Sequence, residues 1–140
     1  MIRGYVEGGL AWVDLRVNVP ALSRQWMPIP FLVDTGSTQS VIVPEDALVL
    51  GVDAGSLFPD PRSRVMPGFG GSLRFITTMA ELRSDVRGEE QPNSYQVALG
   101  IVEPGPGVRN RPSVLGMDFL RHFRVTISVA EDRVELERIQ

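Results

Sequence analysis

The residues of this chain best placed to do chemistry are Asp34, Thr35, Gly36 and Ser37, which follow directly on the apolar run Phe31-Leu32-Val33. An acid at the mouth of a buried strand is costly unless its own turn hydrogen-bonds the carboxylate or a second charge shares the site. Thr35 and Ser37 bring hydroxyls, Gly36 brings conformational freedom, and the turn brings backbone N–H groups. Other chemistries are closed off by composition. The chain has no cysteine, which excludes disulfides, thiolate metal sites and cysteine nucleophiles. His122 is the single histidine, so no metal is expected, and without a Gly-x-Ser-x-Gly sequence it does not point to a serine triad. All fourteen basic residues are arginine, which rules out a Schiff-base lysine and a phosphate-loop lysine. No cofactor is expected.

The length of 140 residues fits one domain spanning 1–140 with a substantial core. The net charge of −3 argues against nucleic acid as the main partner. The densest basic spots, Arg62 with Arg64 and Arg109 with Arg111, sit in proline-rich loops and read as solvated charge. No apolar run reaches the ~18 residues of a membrane span, and Met1-Ile2-Arg3-Gly4-Tyr5 lacks the apolar centre of a signal peptide. The expectation is a soluble cytoplasmic protein with no membrane partner.

The elements that must position Asp34 are almost all strands. Val13, Leu15, Val17 and Val19 alternate with polar residues after a hairpin turn at Glu7-Gly8-Gly9. Ile29 to Val33 is the strand that delivers Asp34, and Ser40 to Val43 is a short β-branched run behind it. Pro44-Glu45-Asp46 reads as a helix start, with Gly51 as its stop. Ser63 to Leu82 reads as a long hairpin tipped by Gly68-Phe69-Gly70-Gly71, which taken alone is no more than a glycine-rich turn. Ser94 to Val102 is a further strand, and Arg87 to Asn93 a polar turn before it. Val114-Leu115-Gly116 runs into a short amphipathic helix predicted over Met117 to Phe123, and the chain closes in a hairpin through Val125–Val129 and Val134–Leu136.

The ordered trio of Asp34-Thr35-Gly36-Ser37, Gly68-Phe69-Gly70-Gly71 and Val114-Leu115-Gly116 resembles the retropepsin-like aspartic proteases, over nearly the whole chain from Tyr5 to Leu136. The four-residue signature alone would arise by chance in on the order of one chain in a hundred of this size, so the order of the three matters more than any one. The resemblance implies a mainly β fold: a single-domain retropepsin-like acid-protease β-barrel with a glycine-rich flap hairpin and one short C-terminal helix. It implies that Asp34 is the catalytic carboxylate of a peptidase. Thr35 would lock two active-site loops together across a subunit interface, Gly36 would let substrate backbone pass close, and Ser37 would hydrogen-bond the carboxylate. Met66, Gly68, Phe69, Gly70 and Gly71 would form the substrate-binding flap, with Val114, Leu115 and Gly116 supporting the active-site loop. The Met117-Asp118-Phe119-Leu120 segment is closer to the cellular and bacterial relatives than to the viral enzymes.

Peptide hydrolysis by this route uses two carboxylates that share one proton and one water, and the chain holds only one such motif. The second carboxylate must then come from another copy, which makes the expected partners a C2 homodimer and a polypeptide substrate. Two readings remain open: a homodimeric aspartic endopeptidase, or a module of the same fold that dimerises and binds peptides or a partner without cutting. Asp34 could also serve only as a turn-capping acid. Asp118 reads as a helix cap, and Glu89-Glu90 and Glu131-Asp132 as solvated turn acids.

Overall fold

Alternation decides most of this structure. The computed structural model describes residues 1–68, 71–84 and 93–139. Strand β1 (Ile2–Glu7) turns at Gly8 and Gly9, whose φ angles of +62° and +75° suit the tight turn, into β2 (Leu10–Asn18). In β2, Ala11, Val13, Leu15 and Val17 are buried and Leu10, Asp14 and Arg16 exposed, so one face of the strand lines the core. Strand β3 (Met27–Val33) buries Ile29, Phe31 and Val33 and exposes Pro28 and Pro30. Both prolines lie in the half of β3 that only β2 pairs, where a missing ladder donor is tolerated.

The rest of the chain closes the sheet on itself. Strand β4 (Val41–Ile42) and helix α1 (Pro44–Val49) follow the Asp34 loop, with proline and two acids opening the helix and Gly51 at φ +80° just past its end. Then come β5 (Arg64–Gly68), β6 (Gly71–Arg83), β7 (Ser94–Val102), β8 (Ser113–Leu115), α2 (Met117–Leu120), β9 (Phe123–Ser128) and β10 (Arg133–Arg138). Strands run side by side as β5-β6-β7-β4-β8-β3-β2-β1-β10-β9, and β6 pairs a second time with β2 through Glu81–Arg83. That second pairing shuts β2, β3, β8, β4, β7 and β6 into a six-stranded barrel of mixed direction, since β3–β8 and β4–β7 are parallel. The upper part of β6 leaves the barrel to pair with β5 as a projecting hairpin.

The main core fills the barrel with Val13, Leu15, Phe31, Leu82, Leu99 and Leu115, all at most 1 % exposed. A second, smaller cluster of Val41, Leu73, Phe75, Val102 and Val114 lies under the projecting hairpin. Helix α2 is shorter than the sequence pattern predicts. Phe119 ends on the helix and Phe123 already belongs to β9, and their rings meet at 4.9 Å between centroids. The apolar spacing read as one helical face is therefore a helix end stacking on a strand start, with Tyr95 set edge-on against both rings. The expected turn from Arg87 to Asn93 lies outside the described residues apart from Asn93. Among the described residues, no helix is long and apolar enough to cross a membrane.

Candidate active site

Asp34 stands at the end of β3, where the parallel pairing with β8 stops. Its N–H donates to the Leu115 carbonyl at 3.1 Å, one step past the Val33–Leu115 pair, so the last rung of the ladder sets the position of the acid. The loop then turns tightly, with the Ser37 N–H on the Asp34 carbonyl at 3.2 Å and the Gly36 N–H on Asp34 Oδ1 at 3.0 Å. A Cβ on residue 36 would sit 3.3 Å from that same oxygen, so glycine lets the amide approach without a side chain pressing on the carboxylate. Asp34 itself is half-buried, and Gly36 N–H is its carboxylate's one donor among the described residues.

Ser37 does not do what the resemblance implies. Its hydroxyl donates to the Gln39 carbonyl at 2.9 Å, which tightens the loop and leaves the Asp34 carboxylate aside. The tight turn points the Ser37 side chain along the loop, where a backbone acceptor two residues on is closer to hand. Thr35 is exposed, and its hydroxyl bonds to none of the described residues.

The loop is held from beneath by a second acid. The Asp118 carboxylate accepts from the Ser40 N–H at 3.0 and 3.1 Å, from the Ser40 hydroxyl at 2.7 Å and from the Phe119 N–H at 3.0 Å. The Ser40 hydroxyl in turn accepts from the Gly116 N–H at 2.9 Å. Two backbone bonds, Met117 N–H to the Ser37 carbonyl at 2.7 Å and Asp118 N–H to the Thr38 carbonyl at 3.3 Å, finish the seam. There is no room for a side chain in it: a Cβ on Gly116 would meet the Ser37 carbonyl oxygen at 2.8 Å and Gln39 backbone at 2.9 Å. Asp118 is not the helix cap expected from sequence: Gly116 opens α2 without a side-chain cap bond, and Asp118 sits inside the first turn. Its carboxylate takes the next amide, Phe119 N–H, and its other bonds grip the loop that carries Asp34. Residue type and position gave no sign of this, because the partner Ser40 lies 78 positions away.

On the opposite side, the Ser113 hydroxyl donates to Asp46 Oδ2 at 2.6 Å and accepts from the Val43 N–H at 3.1 Å, tying α1 to β8. Burial pushes the Asp46 carboxyl above its ordinary value, and neighbouring Glu45 adds to the rise against the pull of Ser113. The three-residue β8 is therefore pinned at both ends.

A cavity of about 160 Å³ opens over the acid, lined by Asp34, Gly36, Ser37, Met66 and Val114 together with Val41 and Leu73. The structure thus brings together the strand-end acid, its loop, one residue of the projecting hairpin and one residue of β8. Leu115 is fully buried and contributes its carbonyl, not a cleft wall. Gly68 and Gly71 face each other as the last described pair of the hairpin, while Phe69 and Gly70 lie outside the described residues. Gly71 and the exposed Val65 line a different hollow of about 490 Å³, between the hairpin and the Glu103–Val108 loop, which does not touch Asp34. Val41 and Leu73 were missed in the sequence because a core position and a cleft position look alike there.

No protein-family model matches the chain, and no curated protein matches it. Solved structures do. A retropepsin-like aspartic protease from Rickettsia conorii superposes with a TM-score of 0.56 and 23% identity, over 97% of this chain and 88% of that one. EIAV protease complexed with the inhibitor HBY-793 gives 0.45 and 17% identity, over 84% of this chain and 90% of that one. The retroviral protease-like domain of Ddi1 from Leishmania major gives 0.38 and 14%, over 88% and 91%. The likeness to the Rickettsia conorii protein shows that this chain has the retropepsin-like fold; the other two are too distant to add to it.

Proposed function

We propose that the chain is an aspartic endopeptidase that works as a C2 homodimer, in which Asp34 of each copy shares one proton and one water. One carboxylate, ionised, takes a proton from the water as it attacks the peptide carbonyl. The other, protonated, donates to the carbonyl oxygen. The observation that supports this best is the Asp34 carboxylate itself, which receives a single donor among the described residues, a backbone amide, and borders an open cavity. A half-buried acid left so far short of partners at a strand end suits a site that a second carboxylate completes. The cavity of about 160 Å³ is small for a peptide site, as half of a groove should be. Met66 on the flap hairpin and Val114 on β8 give it apolar walls for substrate side chains, and the unengaged Thr35 hydroxyl is available to the partner's loop.

The test is cleavage of an unfolded protein such as reduced casein at about pH 4–6, in the presence and absence of a statine inhibitor. Cleavage that the inhibitor blocks and Asp34→Asn abolishes supports the reading. Wild type and Asp34→Asn equally inert across the whole pH range would overturn it in favour of a binding module.

A further inference from the structure

We propose that the cleft between α2, β7 and β10 is a second binding site, which takes a small zwitterion of the α-amino-acid class. The cleft has a volume of about 180 Å³ and shares no lining residue with the hollow over Asp34. Binding there does not depend on whether Asp34 is catalytic.

The walls of the cleft carry both signs of charge. Arg138 supplies the positive one. Its guanidinium lies over the Tyr95 ring at 5.4 Å from the centroid and forms no ion pair with any described residue. The exposed Arg62, Arg124 and Arg133 each reach a carboxylate instead. An aromatic face steadies a guanidinium while leaving its N–H fork free for a carboxylate. His122, also in the wall, adds a donor. Arg121 Nε donates to its Nε2 at 3.5 Å, so in the neutral ring the proton sits on Nδ1.

Asp118 supplies the negative charge. Its Oδ1 gathers the Ser40 amide, the Ser40 hydroxyl and the Phe119 amide, whereas among the described residues Oδ2 has only the Ser40 amide, at 3.1 Å. That second oxygen keeps a lone pair for an ammonium. A plain anion would meet Asp118 and a plain cation would meet Arg138, so each is disfavoured by one wall. A zwitterion is matched by both.

The backbone of β7 completes the site. β7 is paired with β6 along its whole length, but on its other side β4 covers only Gly100 and Ile101. The Gly100 N–H and the Ala98 carbonyl turn to that other side, toward the Ser40 carbonyl and the Gln39 amide. By the alternation of an antiparallel ladder, Gln96 turns its own N–H and C=O the same way, along an edge that borders the cleft and that no strand covers. A main-chain donor and acceptor on one residue suit a ligand with a carboxylate and an ammonium on one carbon.

Size narrows the class. A water takes about 30 Å³ of liquid volume, so the cleft has room for about six non-hydrogen atoms. That admits glycine, alanine or serine and excludes amino acids with long or aromatic side chains. The rings of Phe119 and Phe123 give an apolar floor for a methyl or methylene group. Asp118 then connects the cleft to the Asp34 loop: an ammonium at Oδ2 competes with the Ser40 amide for that oxygen, so occupancy is felt at Ser40.

The test is a titration of the full chain, labelled with nitrogen-15, against glycine, alanine, tryptophan, acetate and methylamine near neutral pH at fixed ionic strength. Glycine or alanine should shift the Gln96 and Ser40 amide signals saturably, at least about tenfold more tightly than acetate or methylamine, and tryptophan should not. Arg138→Met keeps an apolar stem over the Tyr95 ring but loses the charge, and should weaken glycine by about tenfold or more. Arg138→Lys should recover part of that loss, with circular dichroism confirming the fold of both variants. Acetate that bound as tightly as glycine would make this a plain anion site and overturn the proposal. So would shifts that fail to saturate, shifts that bypass Gln96, or glycine binding unchanged in Arg138→Met. Casein cleavage plays no part in the readout, so failure here leaves the peptidase reading untouched, and failure of that reading leaves this site standing.

Discussion

Two acids stand a few residues from the same loop, and the structure treats them oppositely. Asp118 is well held: three donor groups, the Ser40 amide, the Ser40 hydroxyl and the Phe119 amide, converge on its Oδ1, and the Ser40 amide also reaches Oδ2. Asp34 has the Gly36 amide and an open cavity. A carboxylate that gathers amides and a hydroxyl from separate chain segments is a fastener, since its bonds hold those segments together. An under-satisfied one keeps its lone pairs for a water, a proton or a second carboxylate. The difference teaches where to look for chemistry in a fold whose loops are full of acids: at the acid that the protein declines to satisfy.

The contrast breaks first at Asp34. Asp34→Asn keeps size and hydrogen-bonding shape but cannot act as the base, so kcat/KM on casein should fall on the order of a thousandfold or more. The urea midpoint should stay close to wild type, because the one bond lost or altered is a loop bond. A marked loss of stability with no activity to lose would make Asp34 a structural turn acid.

At Asp118 the pattern should invert. Asp118→Ala strands the Ser40 amide and hydroxyl in a buried setting, where each unsatisfied group costs about 1–3 kcal/mol. Stability should therefore drop, and activity with it, because the seam from Ser37 to Met117 loses its underpinning. Asp118→Asn, which retains an acceptor oxygen for the Ser40 groups, should recover part of both. If Asp118→Ala were as stable as wild type yet inactive, the acid would belong to the chemistry and the fastener reading would fail.

How much of this could be read from the residues varies by element. The Asp34 strand, the projecting hairpin of β5 and β6 and the closing hairpin were legible because alternation and glycine placement are local signals. Barrel closure was not, because it depends on β6 pairing twice and on two parallel pairings, β3–β8 and β4–β7, between segments far apart in the chain. The location of Asp34 was legible; its mounting was not. Asp118 looks like any acid in a first helical turn, and Ser40 like any serine before a strand. Ser37 misled for a related reason, since a hydroxyl three residues from an acid can donate to it or to a nearer carbonyl, and only the turn geometry decides.

Ser37 sharpens the comparison at lower amplitude. Its hydroxyl bonds the Gln39 carbonyl, so Ser37→Ala should cost about 0.5–1.5 kcal/mol of stability, the net worth of one such bond. The pH profile of kcat/KM should keep its shape. A shifted acid limb would show that the hydroxyl serves the carboxylate in the working dimer after all.

The smallest effect concerns a third acid. Asp46 lies between the two extremes: half-buried, with the Ser113 hydroxyl on one oxygen, and with its pKa raised chiefly by burial and further by Glu45. Because the folded-state value lies above the unfolded one, the folded chain holds the proton more readily than the unfolded chain does. Ionised Asp46 therefore subtracts from stability. The deficit is complete above the folded pKa, shrinks as pH falls through it, and vanishes below the ordinary aspartate value. This is opposite to the usual salt-bridged carboxylate, whose contribution is lost in acid. Asp46→Asn removes the titration, so its urea midpoint should gain on wild type as pH rises above the ordinary aspartate value and the wild-type group ionises. A gap between the two proteins that stayed constant with pH, or that narrowed toward neutrality, would show that Ser113 outweighs burial and that Asp46 is a fastener like Asp118.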